Sequence, residues 1–264
     1  MSDRYAVIGN PVAHSKSPAI HAEFARATGQ DMDYGRIEAP LDAFGPAVER
    51  FRASGGKGVN VTLPFKHEAF RLCSRVSERA RRAQAVNTLR FDDSFGDNTD
   101  GVGLIRDIGD NLGVPLNGRA ILVLGAGGAA QGVVGALLEA GVARLVIANR
   151  TVSKARALAA RFPGASACGY DALARERFDI VINATSAGLA DESPPVPENL
   201  LGEGVLAYDM VYGRDTPFLA AARTTGAAAC DGLGMLVEQA AESFFIWRGV
   251  RPATRPVLAK LRGS

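Results

Sequence analysis

Cysteine is scarce in this chain: Cys73, Cys168 and Cys230 are its three, far apart and in no C-x-x-C pair. That scarcity excludes a disulfide framework and a cysteine-bound zinc, and it fits a reduced, intracellular protein with inert thiols. Histidine is no more abundant, and His14, His21 and His67 show no ligand spacing with cysteines or carboxylates, so no metal is expected. An excess of one charge is also absent, 30 Lys and Arg standing against 28 Asp and Glu for a net charge of +2. A field that would draw nucleic acid over the whole surface is thereby excluded. The densest basic run, Arg79 to Arg82, shares its segment with Glu78 and reads as a solvated helix face. No apolar run reaches the roughly 18 residues of a membrane span, and none follows a basic start as in a secretion signal. The expected compartment is the cytoplasm, with neither membrane nor nucleic acid as partner.

What the chain does have is alternation. With 47% apolar and 22% charged residues, its 264 positions suffice for two modest domains, each burying its own core. Strands are expected at Tyr5 to Ile8, Tyr34 to Ile37 and Gly58 to Leu63. Helices are expected from Pro18 to Thr28 and over LDAFGPAVERFRAS, where Phe44, Val48 and Phe51 share a face. A connecting helix follows Asp100, further strands lie at Asp179 to Asn183 and Val205 to Met210, and Asp191 to Pro197 is a loop by composition. The amphipathic run from Met235 crosses back to the first domain. Strands alternating with helices imply mostly parallel sheets covered on both sides. The expected fold is α/β: two α/β domains around a cleft, residues 1–101 with 236–264 and residues 102–235, the second doubly wound.

The second domain opens with AILVLGAGGAAQ, an apolar strand, a glycine turn and a helix start. Gly125 permits the tight turn, Gly127 lets backbone approach a pyrophosphate, and Ala130 allows the helix to pack close on the strand. The helix N-terminus offers free N–H groups to phosphate. About 20 residues on, where an NAD site carries Asp or Glu for the ribose hydroxyl, stands Arg150, with Thr151 and Lys154 beside it. A guanidinium grips a 2′-phosphate bidentately, so the expected cofactor is NADP.

In open sheets ligands sit beyond the carboxyl ends of the strands, which directs attention to the polar residues there. Ser15 and Ser17 stand beside a helix N-terminus and together can receive a carboxylate; Ser17, followed by Pro18, also reads as a plain N-cap. In NVTLPFK, Pro64 can begin a helix with Lys66 in its first turn, where the helix dipole opposes an ammonium. That misfit hints at function, against the alternative of a solvated lysine. Asn87 sits in an apolar strand, and Asp100 reads either as a functional carboxylate or as the N-cap of the connecting helix. Gln239 lies at the edge of an apolar helical face.

Taken together, GNPVAHSKSP, NVTLPFK, AVNT, DNTDG, GAGGAA, NRT, NATSAG, DMVYG and DGLGMLVEQAA occur in an order and spacing that resemble the shikimate dehydrogenases. That family comprises NADP-dependent reductases of 3-dehydroshikimate, in the route through chorismate to the aromatic amino acids. The resemblance covers nearly the whole chain and implies a substrate-binding catalytic first domain and an NADP-binding second one. It implies that Ser15 and Ser17 hold the substrate carboxylate, with Asn60, Thr62, Asn87, Tyr212 and Gln239 around the ring, and that Lys66 and Asp100 are catalytic. For NADP it implies Gly125, Ala126, Gly127, Gly128 and Ala129, then Asn149, Arg150, Thr151 and Lys154, with Met210 and Gly232 near the nicotinamide and Glu78 as a further contact. Hydride transfer to a ketone leaves an alkoxide that needs a proton, and Lys66 is the candidate donor. Close alternatives are a quinate or amino-analogue dehydrogenase and a catalytically silent NADP-binding sensor. A monomer or a homodimer is expected.

Overall fold

Apolar alternation and glycine punctuation shape two units. A computed structural model describes residues 2–190 and 192–263. The chain divides by its contacts into Met1–Leu104 with Leu236–Ser264, and Ile105–Met235. In the first unit come β1 (Asp3–Gly9), α1 (Ser17–Thr28), β2 (Met32–Glu38), α2 (Phe44–Ala53), β3 (Gly56–Val61), α3 (Lys66–Leu72), β4 (Arg75–Val76), α4 (Glu78–Ala83), β5 (Thr88–Arg90), β6 (Phe95–Asp97) and the start of α5 (Asp100–Arg106). The sheet order is β2-β1-β3-β5-β6-β4. β1 pairs in parallel with β2 and β3, whereas β5 is antiparallel to both β3 and β6. Residues alternate across β1 as a pleated strand requires. Ala6 and Ile8 join the core under α2 with Phe44, Val48 and Val59, while Tyr5 and Val7 face Val12, Tyr34 and Trp247. Both faces are covered, which is why the strand reads as continuous apolar sequence.

The second unit begins with a π-helical turn, Asp107–Asn111. It continues with β7 (Ala120–Leu124), α6 (Gly128–Glu139), β8 (Arg144–Ala148), α7 (Val152–Ala159), β9 (Ala165–Cys168), β10 (Ile180–Asn183), β11 (Leu206–Asp209), α8 (Pro217–Thr224) and β12 (Ala228–Asp231). Helix α9 (Leu233–Arg248) returns to the first unit, where α10 (Arg255–Arg262) closes the described chain. The order β9-β8-β7-β10-β11-β12 is wholly parallel: a βαβαβ half, β7 to β9, and a second half, β10 to β12, in which short 3-10 turns in place of an α-helix link β10 to β11, the two diverging between β7 and β10. That divergence is the switch point at which such sheets bind ligands. At the unit's edge the fully buried Asp107 accepts from Tyr208 Oη at 2.6 Å and Asn111 Nδ2 at 3.0 Å. A side chain at Gly234 would run into the Asp107 carboxylate.

Several local expectations need correction. The N-cap of α1 is Lys16, in helical backbone, so Ser17 is the first helical residue and caps nothing with its side chain. Pro64 does not open α3: it follows a cis bond in the preceding turn, and the helix begins at Lys66 itself. Asp100 likewise is the first helical residue of α5, its N–H donating to Asn98 Oδ1 at 3.1 Å. The connecting helix gives way to the π turn at Asp107. Arg79 is not a solvated residue, because it forks onto Asp97 at 2.6 and 2.8 Å and reaches Glu242 at 3.1 Å. Of the loop expected at 191–197, Asp191 lies outside the described residues, and Glu192 to Pro197 carries no helix or strand.

Candidate active site

In the first unit the polar residues that end the strands converge. Lys66 Nζ donates to Asp100 Oδ2 at 2.5 Å, with side chains only 16% and 7% exposed. Both residues start helices, where the dipole favours the carboxylate and opposes the ammonium, so the pair places the cation where only a partner anion can hold it. The other Asp100 oxygen accepts from Asn87 Nδ2 at 2.8 Å. Asn87 is oriented from all sides: Nδ2 also donates to Thr99 Oγ1 at 2.9 Å and Gln239 Oε1 at 3.3 Å, and Oδ1 accepts from Thr99 N and Thr88 Oγ1, each at 2.9 Å. Gln239 Nε2 is turned back to Leu236 O at 2.8 Å.

Asn60 joins the same network. Its Nδ2 donates to Ser243 Oγ at 2.9 Å and to Asn87 O and Thr88 Oγ1, both at 3.1 Å, while Oδ1 accepts from Tyr34 Oη at 2.7 Å. Burial pushes the Tyr34 phenol well above its ordinary range, against a bond to Ser17, so it stays a donor. Ser15 and Ser17 are buried at the start of α1; Ser15 Oγ donates to Ser17 Oγ at 3.2 Å and accepts from Ser17 N at 3.3 Å. Two hydroxyls at the positive end of a helix suit an anion. Thr62 is half-buried in the turn after β3, its N–H on Ile8 O at 2.9 Å and its methyl against Gly9. A cation, a carboxylate and oriented amides beside an anion receptor can bind a small polyhydroxy acid and move a proton at one of its oxygens.

In the second unit the glycine turn lies directly after β7. Gly125 has φ +105°, a left-handed conformation that only glycine adopts without strain, and its N–H donates to Ala148 O at 2.7 Å. Space around Gly127 and Gly128 is open, and α6 starts at Gly128 with no side chain capping its N–H groups. Ala126 is buried beneath the turn, and Ala129 follows in the first turn of α6. Beyond β8, Asn149 Nδ2 donates to Thr151 O at 2.9 Å, and Arg150, Thr151 and Lys154 are exposed. After β11, Met210 is half-buried with its N–H on Asn183 O at 3.0 Å, and a Cβ at Gly232 would come within 2.5 Å of Met210 O. This donor set fits a dinucleotide phosphate with a further anionic group at Arg150.

Three family descriptions match the chain: shikimate dehydrogenase substrate binding domain over residues 7–89, shikimate / quinate 5-dehydrogenase over 108–190, and shikimate 5'-dehydrogenase C-terminal domain over 232–262. A curated relative from Aromatoleum aromaticum, a shikimate dehydrogenase (NADP(+)), is 61% identical over 270 residues, covering 98% of this chain and 97% of the relative. The chain belongs to the shikimate dehydrogenase family. Among solved structures similar to this family member, an Ael1 enzyme from Pseudomonas putida is 53% identical at a TM-score of 0.93, covering 98% of each chain. A shikimate 5-dehydrogenase from Thermus thermophilus, in complex with NADP(H) and shikimate, is 38% identical at a TM-score of 0.89, covering 99% of each chain.

Within this shikimate dehydrogenase family member, hydrogen bonds gather Lys66, Asp100, Asn87, Asn60 and Gln239 into one network, and Ser15 with Ser17 into a pair. Thr62 is not joined to either group: its N–H donates to Ile8 O at 2.9 Å and its carbonyl accepts from Phe65 N at 3.1 Å. Tyr212 belongs to the second unit and is half-buried after β11. Glu78 opens α4, largely exposed, 3.4 Å from Arg81. Sequence reasoning missed Tyr34, Thr88, Thr99 and Ser243, which orient the amides. Thr88 and Thr99 lie inside the AVNT and DNTDG motifs, where their hydroxyls are legible; Ser243 sits in an apolar helical run and Tyr34 in a strand, and neither carries a local signal of this role.

Proposed function

We propose that the protein interconverts 3-dehydroshikimate and shikimate reversibly with NADP(H) as cosubstrate. The observation that carries this reading is the Lys66–Asp100 pair at 2.5 Å, braced by Asn87, in a chain of this family. Ser15 and Ser17 receive the ring carboxylate, with Asn60, Thr62, Asn87, Tyr212 and Gln239 around the ring and its hydroxyls. Gly125 to Ala129, Asn149, Arg150, Thr151 and Lys154 hold the cofactor, with Met210 and Gly232 at its nicotinamide end and Glu78 as an outer contact. When bound, the nicotinamide supplies hydride to the carbonyl carbon or removes it from the alcohol carbon. Lys66 gives the proton to the nascent alkoxide oxygen in reduction and takes it back in oxidation. Asp100 aims the ammonium and bonds a neighbouring hydroxyl. Because oxidation releases a proton, it accelerates as pH rises.

In this reading the first unit is the substrate-binding catalytic domain and the second the NADP-binding domain. No helix among the described residues is long and apolar enough to cross a membrane. The three free cysteines suit the reducing cytoplasm, which we take as the compartment, the protein acting as a monomer or homodimer without nucleic acid. The match to a shikimate / quinate description over 108–190 makes quinate the second substrate to try. The test follows absorbance of reduced cofactor with purified protein, NADP or NAD, and shikimate or quinate. We expect turnover with NADP and shikimate; quinate as the better substrate would move the assignment to that acid. No turnover with any ring acid would overturn the reading in favour of a silent NADP-binding sensor.

A further inference from the structure

Strand β2 runs beside β1, and its pleat sends Tyr34 and Arg36 to the same face. Tyr34 reaches Asn60 and Ser17. Arg36 reaches the other serine: its Nη2 and Nε donate to Ser15 O at 2.6 and 3.2 Å. Every other polar group of Ser15 is satisfied within its own loop. Its N–H donates to Val12 O at 3.1 Å, and its hydroxyl is shared with Ser17. The carbonyl is therefore the atom of Ser15 that is held from outside the loop, and the group holding it is a cation. A neutral carbonyl needs only one neutral donor; a two-pronged guanidinium adds charge and fixes direction. Among the described residues no carboxylate pairs with Arg36, so its charge remains available to an anion.

We infer that Arg36 is a positioning residue for the carboxylate receptor. It holds the Ser15 peptide so that both serine hydroxyls stay at the N-terminus of α1, and it lends positive charge to a site whose direct donors are neutral. The inference rests on the reading that Ser15 and Ser17 receive the substrate carboxylate. Because Arg36 is exposed on β2, replacing it leaves the core intact.

The test measures steady-state kinetics for Arg36→Ala, Arg36→Gln and Arg36→Lys beside the wild type. In Arg36→Ala the KM for shikimate rises about tenfold, which is about 1.4 kcal/mol. There kcat and the KM for NADP stay within about twofold of wild type. Arg36→Lys recovers part of the loss, because an ammonium keeps the charge without the fork, and it recovers more than the uncharged Arg36→Gln. An unchanged shikimate KM in Arg36→Ala, with wild-type turnover intact, overturns this inference and leaves the functional reading standing. Equal losses in kcat and in the NADP KM would mark a general structural role and overturn it too. A wild type without shikimate turnover overturns the functional reading, and this inference with it.

Discussion

Replacing Asp100 by Asn changes one atom and should cost more stability than removing its partner. In Asp100→Asn the ammonium of Lys66, 16% exposed, stays at the first position of α3 with the dipole against it and no anion to hold it. Stranding a buried charge costs about 3–5 kcal/mol, and partial access to water for Lys66 brings the expected loss to about 2 kcal/mol. In Lys66→Met the carboxylate keeps Asn87 Nδ2 at 2.8 Å and the favourable start of α5, so the expected loss is about 1 kcal/mol. Activity behaves differently from stability. Each single variant loses proton delivery, worth about 10²–10⁴ in kcat, and the double variant loses no more than Lys66→Met alone, because the two act as one unit. Urea unfolding and steady-state kinetics on the four proteins of the cycle measure both effects. Asp100→Asn with kcat within about threefold of wild type, or single losses that multiply in the double variant, would refute the argument.

Two further perturbations test other parts of the molecule. Arg150→Ala should weaken NADP about tenfold by calorimetric titration while leaving NAD within about twofold, since only the former carries the 2′-phosphate; an unchanged ratio rejects that role. His21 is fully buried, and burial pushes its pKa down to about 3, the Asn60 amide beside it opposing only in part. The folded state thus favours neutral imidazole. Its contribution is complete above the ordinary value of about 6.5 and falls below it as the unfolded chain takes up the proton, by about 2 kcal/mol between pH 7 and pH 5. His21→Phe keeps the stack on Tyr34, 4.1 Å between centroids in the parent, and should remove that amount from the pH dependence of the unfolding free energy. Parallel curves for the two proteins would contradict the linkage.

Where a feature is made by neighbours in sequence, the residues announced it. The turn at Gly125 and the basic tip at Arg150 are local chemistry, readable from a dozen positions. The apolar runs of β7 and β8 marked a parallel sheet because such strands are buried on both faces. The apolar strand expected around Asn87 is β5, but it starts only at Thr88, so Asn87 stands in the bend before it; the antiparallel β6 went unread, since its three residues show no period. Arg79 looked solvated because its partners Asp97 and Glu242 stand 18 and 163 positions away. Ser17 looked like a cap because Ser-Pro usually is one, yet the backbone at Lys16 is already helical. The Lys66–Asp100 contact spans 34 positions and no spacing rule foretells it. What hinted at it was a charge in an unsuitable place, which local propensity does not explain and a distant counterion does.

The carboxylate of Asp107 adjoins Gly234, so the polypeptide enters and leaves the second sheet at a single corner. A segment whose two ends touch can be lifted out of its host, or exchanged for a relative's version, with joints only after Leu104 and after Met235. Chimaeras spliced there would transplant one cofactor preference onto another acid receptor without redrawing either interior.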